Sequence, residues 1–392
     1  MLGIINGNIF TMAGETLENG SILIDNGVIK EIGVDINIPE EAEIIDAKGK
    51  MITPGIIDGH SHIGIGEEGI GFEGRDYNET SDPITPQMRA IDGIYPEDKG
   101  FLSARQGGIT TVVTGPGSAN AIGGTFLAMK TYGIRVDDMI VKNPVAMKIA
   151  FGENVKRVYN EQNKMPKTRM AIMALMRDFF YKAKDYMEKR ESEDTSKRPD
   201  FDLRYESVIP LFKKEIHLKA HAHRTDDILS AIRLAQEFDF DLTLEHCTEG
   251  HLIADILAKE GYDAICGPNM SSASKYELKN RSFVTPRELN KVGVKFAIMT
   301  DNSVIPTQHL PLCAGLAVKS GLDKEEALKA ITINPAEITG ISDKVGSLEV
   351  GKDGDLVIWS SDPLSDTSCE ALYTIINGKV VYNSDKDEKF GF

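Results

Sequence analysis

The stretch that decides the fold is LKAHAHRTDDILSAIRLAQEFDFDLTLEHC, residues 218–247. Its two apolar runs flank a segment with apolar residues at 228, 231, 232 and 235, which is the i, i+3, i+4, i+7 spacing of a helix with one buried face. Thr225 is placed to cap that helix. The alternation continues through TEGHLIADILAKE at 248–260 and DAICGP at 263–268. Such repeated strand and helix patterns predict βα units on a parallel sheet.

Both ends of the chain have a different texture. SILIDNGVIKEIG at 21–33 and TIINGKVVYN at 374–383 each place Asn-Gly between two β-rich runs, which is the turn chemistry of a hairpin. We therefore predict a composite β-sandwich domain formed by residues 1–53 and 345–392. The intervening residues 54–344 would form the βα domain, with a helical insertion near 161–210.

Composition narrows the class of function. The 392 residues are 41% hydrophobic and carry a formal net charge of -16, which disfavours binding to nucleic acid or to an anionic membrane and favours a small-molecule substrate. The first residues, MLGIINGNIF, lack the pattern of a signal peptide, so we expect a cytoplasmic protein. Four cysteines without C-x-x-C spacing are expected to be reduced thiols.

The chemistry-bearing residues follow apolar runs. In PGIIDGHSHIG at 54–64, His60 and His62 project to one side of a strand, since side chains alternate along it. His221, His246 and Asp301 come at the ends of LKAHAHR, LTLEHC and KFAIMTDN. The carboxyl ends of barrel strands meet at one rim, so these side chains predict a site for Zn²⁺ or a similar divalent ion.

These motifs, in the order HxH, lysine, His, His and Asp, resemble the amidohydrolase superfamily. The resemblance covers nearly the whole chain, with PGIIDGHSHIG similar to the family's first-strand motif. It implies an α/β fold, a (β/α)8 TIM barrel with a flanking small β-sandwich formed by both termini. It also implies one or two bound metal ions and a metal-dependent hydrolase.

Lys148 lies in the apolar run VAMKIAFGEN, where a lysine is costly to bury without a partner. Its position resembles the family's fourth-strand lysine, which reacts with CO₂ to form a carbamate that bridges two metals. Glu153 is the alternative bridging carboxylate. Two ions roughly 3.5 to 4 Å apart would share a hydroxide, because divalent cations lower the pKa of bound water. The resemblance gives Asp301 the role of general base and then general acid, although TDN also suits a helix cap.

Further polar residues are candidates for binding the substrate. Imidazolonepropionases and deaminases carry a glutamate three residues after the fifth-strand histidine, whereas this chain has Arg224 there. An arginine suits a carboxylate-bearing substrate. His223 shares a face with His221 and could replace it as ligand or contact the substrate. The full set of candidates is Arg75, Asn120, His223, Arg224, His251 and Asn269.

These observations predict an amidohydrolase that cleaves a C–N amide or peptide bond of a small, carboxylate-bearing substrate. One alternative is a mononuclear deaminase or cyclic-amide hydrolase of the same superfamily, and another is a non-catalytic scaffold on the same fold. The resemblance also suggests a homo-oligomer.

Overall fold

The computed structural model describes residues 1–389, which form two β-sheets of eight strands each together with the helices that connect them. The strands are β1 (Leu2–Ile9), β2 (Leu17–Asp25), β3 (Val28–Gly33), β4 (Glu43–Asp46), β5 (Met51–Pro54), β6 (Ile56–Ser61), β7 (Ile109–Thr114), β8 (Ile122–Lys130), β9 (Ile140–Ala150), β10 (His217–Ala222), β11 (Leu242–His246), β12 (Asp263–Cys266), β13 (Phe296–Ile298), β14 (Leu356–Trp359), β15 (Ala371–Ile376) and β16 (Lys379–Asn383). The α-helices are α1 (Lys99–Gln106), α2 (Glu153–Glu161), α3 (Arg169–Arg190), α4 (Leu203–Glu206), α5 (Ile209–Phe212), α6 (Thr225–Phe238), α7 (Ala254–Glu260), α8 (Thr285–Lys291), α9 (Leu310–Lys319), α10 (Lys324–Lys329) and α11 (Ile333–Ile338).

The first sheet combines both ends of the chain. Its strands run in the order β16-β15-β14-β5-β1-β2-β3, with β4 paired to β1. Both Asn-Gly turns are confirmed: Asn26 and Gly27 have φ of 50° and 82°, and Asn377 and Gly378 have φ of 48° and 70°. Positive φ at both central residues is the geometry of a type I′ hairpin. The sandwich shape and the domain limits stay predictions.

The second sheet carries the candidate site. Its strands follow chain order from β6 to β13, and all neighbours are parallel except that β8 is antiparallel to both β7 and β9. Its first and last strands approach each other, with the amide of Asp301 donating to the carbonyl of His60 at 3.3 Å. The sheet is therefore a nearly closed barrel.

A regular (β/α)8 repeat was wrong for one part of this sheet. Residues 115–121 connect β7 directly to β8, and no α-helix lies between these strands. A parallel pair needs a crossover of a dozen or more residues, so this short connection imposes the antiparallel direction.

A long helix packs on the outside of the barrel. Phe180 of α3 packs with its ring centroid 5.5 Å from that of Phe238 and 5.2 Å from that of Phe240. Arg169, the first residue of α3, forms two hydrogen bonds of 2.8 and 2.9 Å to the buried carboxylate of Asp227 in α6. These contacts fix the helical segment to the βα unit that carries His221.

The expected cap of α6 was wrong in detail. Thr225 is the first residue of this helix, the N-cap is Arg224, and the side chain of Arg224 forms no capping hydrogen bond. Glu249 caps the helix instead, since its Oε2 accepts from the Thr225 amide at 2.8 Å. Carboxylates suit this place because helix N-termini carry unpaired N–H groups and partial positive charge.

Two further expectations concern the whole chain. All four cysteines are free thiols. Within residues 1–389, no helix has the length and apolar character needed to cross a membrane.

Candidate metal centre

A first group of potential ligands lies where β6 approaches β13. The Nε2 atoms of His60 and His62 lie 3.7 and 3.2 Å from Oδ1 of Asp301. His60 is fully buried, and the side chains of His62 and Asp301 are only 12% and 14% exposed. Two imidazoles and one carboxylate around a common point are a ligand set suited to Zn²⁺ and related ions.

A second group consists of the buried His221, His223 and His246, at the carboxyl ends of β10 and β11. Their ring centroids lie 4.3 to 4.6 Å apart. The two groups face each other, with the rings of His60 and His246 5.5 Å apart. The sequence prediction placed His223 as an alternative to His221, whereas the structure brings both into one cluster.

The far nitrogens of four of these histidines have fixed partners. Nδ1 of His60 lies 2.7 Å from Oε2 of Glu245, and Nδ1 of His223 lies 2.7 Å from Oγ1 of Thr248. His62 and His246 direct Nδ1 at the backbone carbonyls of Gly115 and Gly267, at 2.6 and 2.9 Å. A carbonyl or carboxylate at Nδ1 favours a proton there and leaves the lone pair on Nε2 for a metal.

Unpaired nitrogens give a direct test of whether the group fits a metal. Within residues 1–389, both ring nitrogens of His221 and Nε2 of His223 are buried without a hydrogen-bond partner. Buried polar atoms are normally satisfied, so these atoms point to a missing ligand. The donor set and its free atoms fit a divalent cation.

Protonation also favours metal binding. Burial, with a smaller contribution from Lys148, lowers the pKa of His60 well below its ordinary value. Burial likewise lowers the pKa of His221 to about 4. Burial alone would raise the pKa of Asp301, but His246 and His62 hold it below its usual range. His60 and His221 are therefore neutral and Asp301 is ionised near neutral pH, as metal ligands must be.

Lys148 lies on β9 between the two groups. Its side chain is fully buried, and Nζ lies 3.2 Å from Nε2 of His60. In the part of the chain that the structure describes, no carboxylate lies within ion-pair distance of this ammonium group. Burial lowers the pKa of Lys148 to about 8, so a substantial fraction of the amine is neutral at physiological pH.

Sequence reasoning missed a charged layer beneath the site. Oε2 of Glu245 accepts from Nζ of Lys219 at 2.8 Å as well as from His60, and Oε1 accepts from Thr243 at 2.6 Å. Lys219 and Glu245 are both fully buried. The alternation of Lys219 with His221 and His223 in LKAHAH was a signal that this lysine faces the barrel interior.

A second missed feature is the loop between β12 and α8, residues 267–284, which we call the β12–α8 loop. Oε1 of Glu277 lies 3.8 and 3.6 Å from Nε2 of His221 and of His223. Nζ of Lys275 lies 2.8 Å from the same oxygen. No sequence pattern marks these residues, because a long irregular loop carries no periodicity.

The predicted substrate residues differ in their exposure and contacts. Arg75 is exposed, and Asn269 is half-buried just past β12. Nδ1 of His251 lies 2.9 Å from Oγ1 of Thr285. Their substrate roles stay predictions.

Arg224 and Asn120 are already engaged by neighbouring groups. Arg224 forms two hydrogen bonds to Asp226, at 2.9 and 3.0 Å. The amide nitrogen of Asn120 donates to the carbonyl of Asp82 at 2.8 Å and contacts the carbonyl of Glu79, so it stabilises the segment between β6 and α1. Glu153 accepts from the Glu277 amide at 3.3 Å, a backbone contact to the β12–α8 loop.

Comparison with known proteins shows the family of this chain. Residues 212–381 match the amidohydrolase family. The chain is 40% identical to an amidohydrolase from Thermotoga maritima MSB8, whose crystal structure superposes with a TM-score of 0.94 over 98% of this chain and 100% of that one.

Two curated relatives extend the comparison. Amidohydrolase tasK of Hapsidospora irregularis is 30% identical over 377 residues, which are 88% of this chain but only 38% of that protein. The imidazolonepropionase of Geobacillus kaustophilus (strain HTA426) is 26% identical over 417 residues, 94% of this chain and 92% of that one.

Fold and site thus define a hydrolase that acts on C–N bonds, with candidate sites for divalent metal. The chain belongs to the amidohydrolase superfamily, as its match to the Thermotoga maritima amidohydrolase along nearly the entire length shows.

Proposed function

We propose that this protein is a metal-dependent amidohydrolase that cleaves an amide or peptide C–N bond in a small, carboxylate-bearing substrate. The observation that carries the proposal is that two ligand groups face each other in the interior. They are His60, His62 and Asp301 on one side and the histidine cluster on the other, with the rings of His60 and His246 5.5 Å apart. Zn²⁺ is the ion that this donor set suits best.

A divalent cation held there would polarise the scissile carbonyl and lower the pKa of water towards about 7. The chain's own residues then move the protons. Asp301, which is ionised and 14% exposed, would accept a proton from the attacking water and deliver it to the departing nitrogen. Glu245 holds the ring of His60 in place throughout.

Lys148 has a further proposed role as a carbamate. The neutral fraction of its amine is a nucleophile towards CO₂, and the product would replace a buried cation by an anion with two oxygens. Such an anion would be compensated by two cations rather than left unpaired. This supports a site for two metal ions, with Glu153 as the alternative bridging group.

The carboxylate preference rests on cations near the site. Lys275 lies at the mouth of the histidine cluster, paired with Glu277. Arg224 and Arg75 are the candidates that the sequence supplied, and Arg224 would have to release Asp226 in order to bind a substrate. Lysine and arginine both recognise carboxylates, and arginine can do so through two hydrogen bonds.

The direct test is hydrolysis of acylated amino acids, dipeptides and cyclic amides by the protein before and after chelator treatment and metal reconstitution. We expect cleavage of acidic-ended amides that chelation abolishes and Zn²⁺ restores. Hydrolysis that persists unchanged without metal would contradict the proposal. Replacing Arg75, Arg224 or Lys275 by Met should raise KM for acidic-ended substrates and not for their amidated counterparts.

Hydrolysis of a cyclic amide is the second candidate. It is favoured by the similarity along nearly the whole chain to a protein named imidazolonepropionase. The arginine at 224, where those enzymes carry a glutamate, argues against it. Ring opening of cyclic amides with no cleavage of linear ones would decide for this candidate.

Assembly and location complete the proposal. We propose a homo-oligomer in the cytoplasm, with no nucleic-acid or membrane partner, in keeping with the net charge of -16. Light scattering of the purified protein measures the oligomeric state.

A further inference from the structure

We propose that Glu277 is a fourth ligand that joins His221, His223 and His246 in a complete site for a divalent transition metal ion, and that the ion thereby fastens the β12–α8 loop over the barrel. This inference rests on the proposed function, because it takes the histidine cluster as a cation site. In the proposed function, Lys148 or Glu153 supplies the only anionic ligand of this ion. The present inference adds Glu277 as a further anionic ligand.

The first argument is distance. Two ligand atoms bound to one tetrahedral Zn²⁺ at the usual bond lengths lie about 3.3 to 3.6 Å apart. Oε1 of Glu277 lies 3.6 Å from Nε2 of His223 and 3.8 Å from Nε2 of His221. These separations, from two of the three histidines, are too long for hydrogen bonds and close to those of shared coordination. Glu277 is not part of the group of three histidines whose ligand atoms all lie within 4.8 Å of one another, so an ion would bring its carboxylate closer to His246.

The second argument is that the three side chains are buried and that the histidine nitrogens facing Glu277 have no hydrogen-bond partner within residues 1–389. Glu277 is 1% exposed and His221 and His223 are 2% and 3% exposed. In the described chain, Oε1 of Glu277 and Nε2 of both histidines have no hydrogen-bond partner. Lys275 offers Oε1 an ion pair at 2.8 Å, but it adds positive charge and gives the histidine lone pairs nothing to bind.

The third argument is that the backbone at the start of α2 holds Glu277 in this orientation. Its Oε2 accepts from the Glu153 amide at 2.9 Å, which leaves Oε1 facing the histidines. Gly152 makes this approach possible: its φ is 86°, and a Cβ there would lie 2.6 Å from Oε2 of Glu277. The backbone at Gly152 and Glu153 thus leaves room for the Glu277 carboxylate and binds its Oε2.

The consequence is a difference between the two metal sites. His60, His62 and Asp301 leave a coordination position open, whereas three histidines with Glu277 would close the second site. Metal at the second site would then order the loop that carries Lys275. Release of Glu277 would open that site to substrate.

The test compares Glu277→Gln with the wild type by metal analysis and by the visible absorption spectrum of the Co²⁺-substituted protein. Loss of a ligand should lower the affinity of one of the bound ions by at least about 10-fold, since even partners outside the coordination shell contribute that much. It should also change the Co²⁺ spectrum. His223→Gln should have the same effect, because it removes another ligand of the same ion.

Glu249→Gln is the matched control. The carboxylate of Glu249 accepts from Asn280 of the same loop at 2.8 Å and from the Thr225 amide at 2.8 Å, but from no histidine ring, so this variant should keep wild-type metal content and spectrum. A Glu277→Gln protein with unchanged affinity and spectrum overturns the inference and leaves the proposed function intact. A wild-type protein that binds no divalent ion overturns both.

Two measurements do not depend on a variant. A Zn²⁺-loaded crystal should show an anomalous peak about 2.0 to 2.2 Å from an oxygen of Glu277. A peak at the histidines with Glu277 outside this distance overturns the inference. Limited trypsin digestion after Lys275 and Lys279 should slow when Zn²⁺ is added, and equal digestion with and without Zn²⁺ would count against the fastening of the loop.

Discussion

Glu245 holds His60 by the ring nitrogen that faces away from the candidate metal centre. Oε2 of Glu245 lies 2.7 Å from Nδ1 of His60, and the same oxygen lies 2.8 Å from Nζ of Lys219. A single buried carboxylate oxygen therefore orients a potential metal ligand and neutralises a buried lysine. Position 245 is thus coupled both to metal affinity and to folding stability.

We expect Glu245→Gln to lower metal affinity by about 10- to 100-fold, because His60 then donates to a neutral amide. The free energy of unfolding should fall by about 3 kcal/mol, since Lys219 is left as an uncompensated buried charge. Chelator competition and urea unfolding measure the two effects. Lys219→Met added to Glu245→Gln should restore stability but not affinity.

Thr243→Val is the control for this position, since it removes the hydroxyl that donates to the other oxygen of Glu245 and lies 3.4 Å from the carbonyl of Leu218. Its cost should be about 0.5 to 1.5 kcal/mol, with little change in metal affinity. Equal losses in the Thr243 and Glu245 variants would argue against the pairing described.

Asp301→Asn should lower kcat by about 100- to 10,000-fold, because an amide cannot take up and release the proton. Steady-state kinetics with parallel metal analysis separates proton transfer from loss of metal. Asp263 lies at the start of β12, the end of the strand that is opposite to the candidate metal centre. Asp263→Asn should therefore retain activity. Full activity of the Asp301 variant would remove this residue from proton transfer.

Lys148→Met should leave the fold as stable as before or more stable, because it replaces a buried lysine that has no carboxylate partner by an apolar side chain of similar length. The metal content should fall from two ions towards one if a carbamate bridges them. Thermal unfolding and elemental analysis measure both quantities.

Lys219→Met is the contrasting variant. It leaves the buried charge of Glu245 without its lysine partner and should destabilise the fold. ¹³CO₂ should also give a carbamate resonance in the wild type that is missing from the Lys148 variant. Unchanged metal content in Lys148→Met would contradict the bridging role.

Arg169→Gln should destabilise the attachment of α3 by about 3 kcal/mol, because it leaves the buried carboxylate of Asp227 without its partner. Chemical denaturation measures this cost. Adding Asp227→Asn should recover part of it, and Arg177→Gln, in an exposed pair with Glu237, should cost under about 1 kcal/mol. A similar loss of unfolding free energy in Arg169→Gln and Arg177→Gln would contradict the claim that burial of Asp227 makes its ion pair important for stability.

Much of the secondary structure could be predicted from the sequence. Local rules set the Asn-Gly hairpins, the helix after His223 and the alternation that puts His60 and His62 on one face. Because parallel strands end at a common rim, the order of His, His, His and Asp was enough to predict one metal centre. The antiparallel direction of β8 was missed, because the sequence of the short connection before it has no helical periodicity and does not reveal the direction of the next strand.

The tertiary structure alone decided which groups from distant parts of the chain meet. His60 contacts Glu245, and the histidine cluster contacts Glu277, across long separations in sequence. No periodic pattern of residues in the sequence predicts either contact. Sequence fixes the direction of a side chain relative to its own strand or helix. Barrel closure and the path of an irregular loop fix which other side chain it reaches, because these depend on the packing of the whole chain.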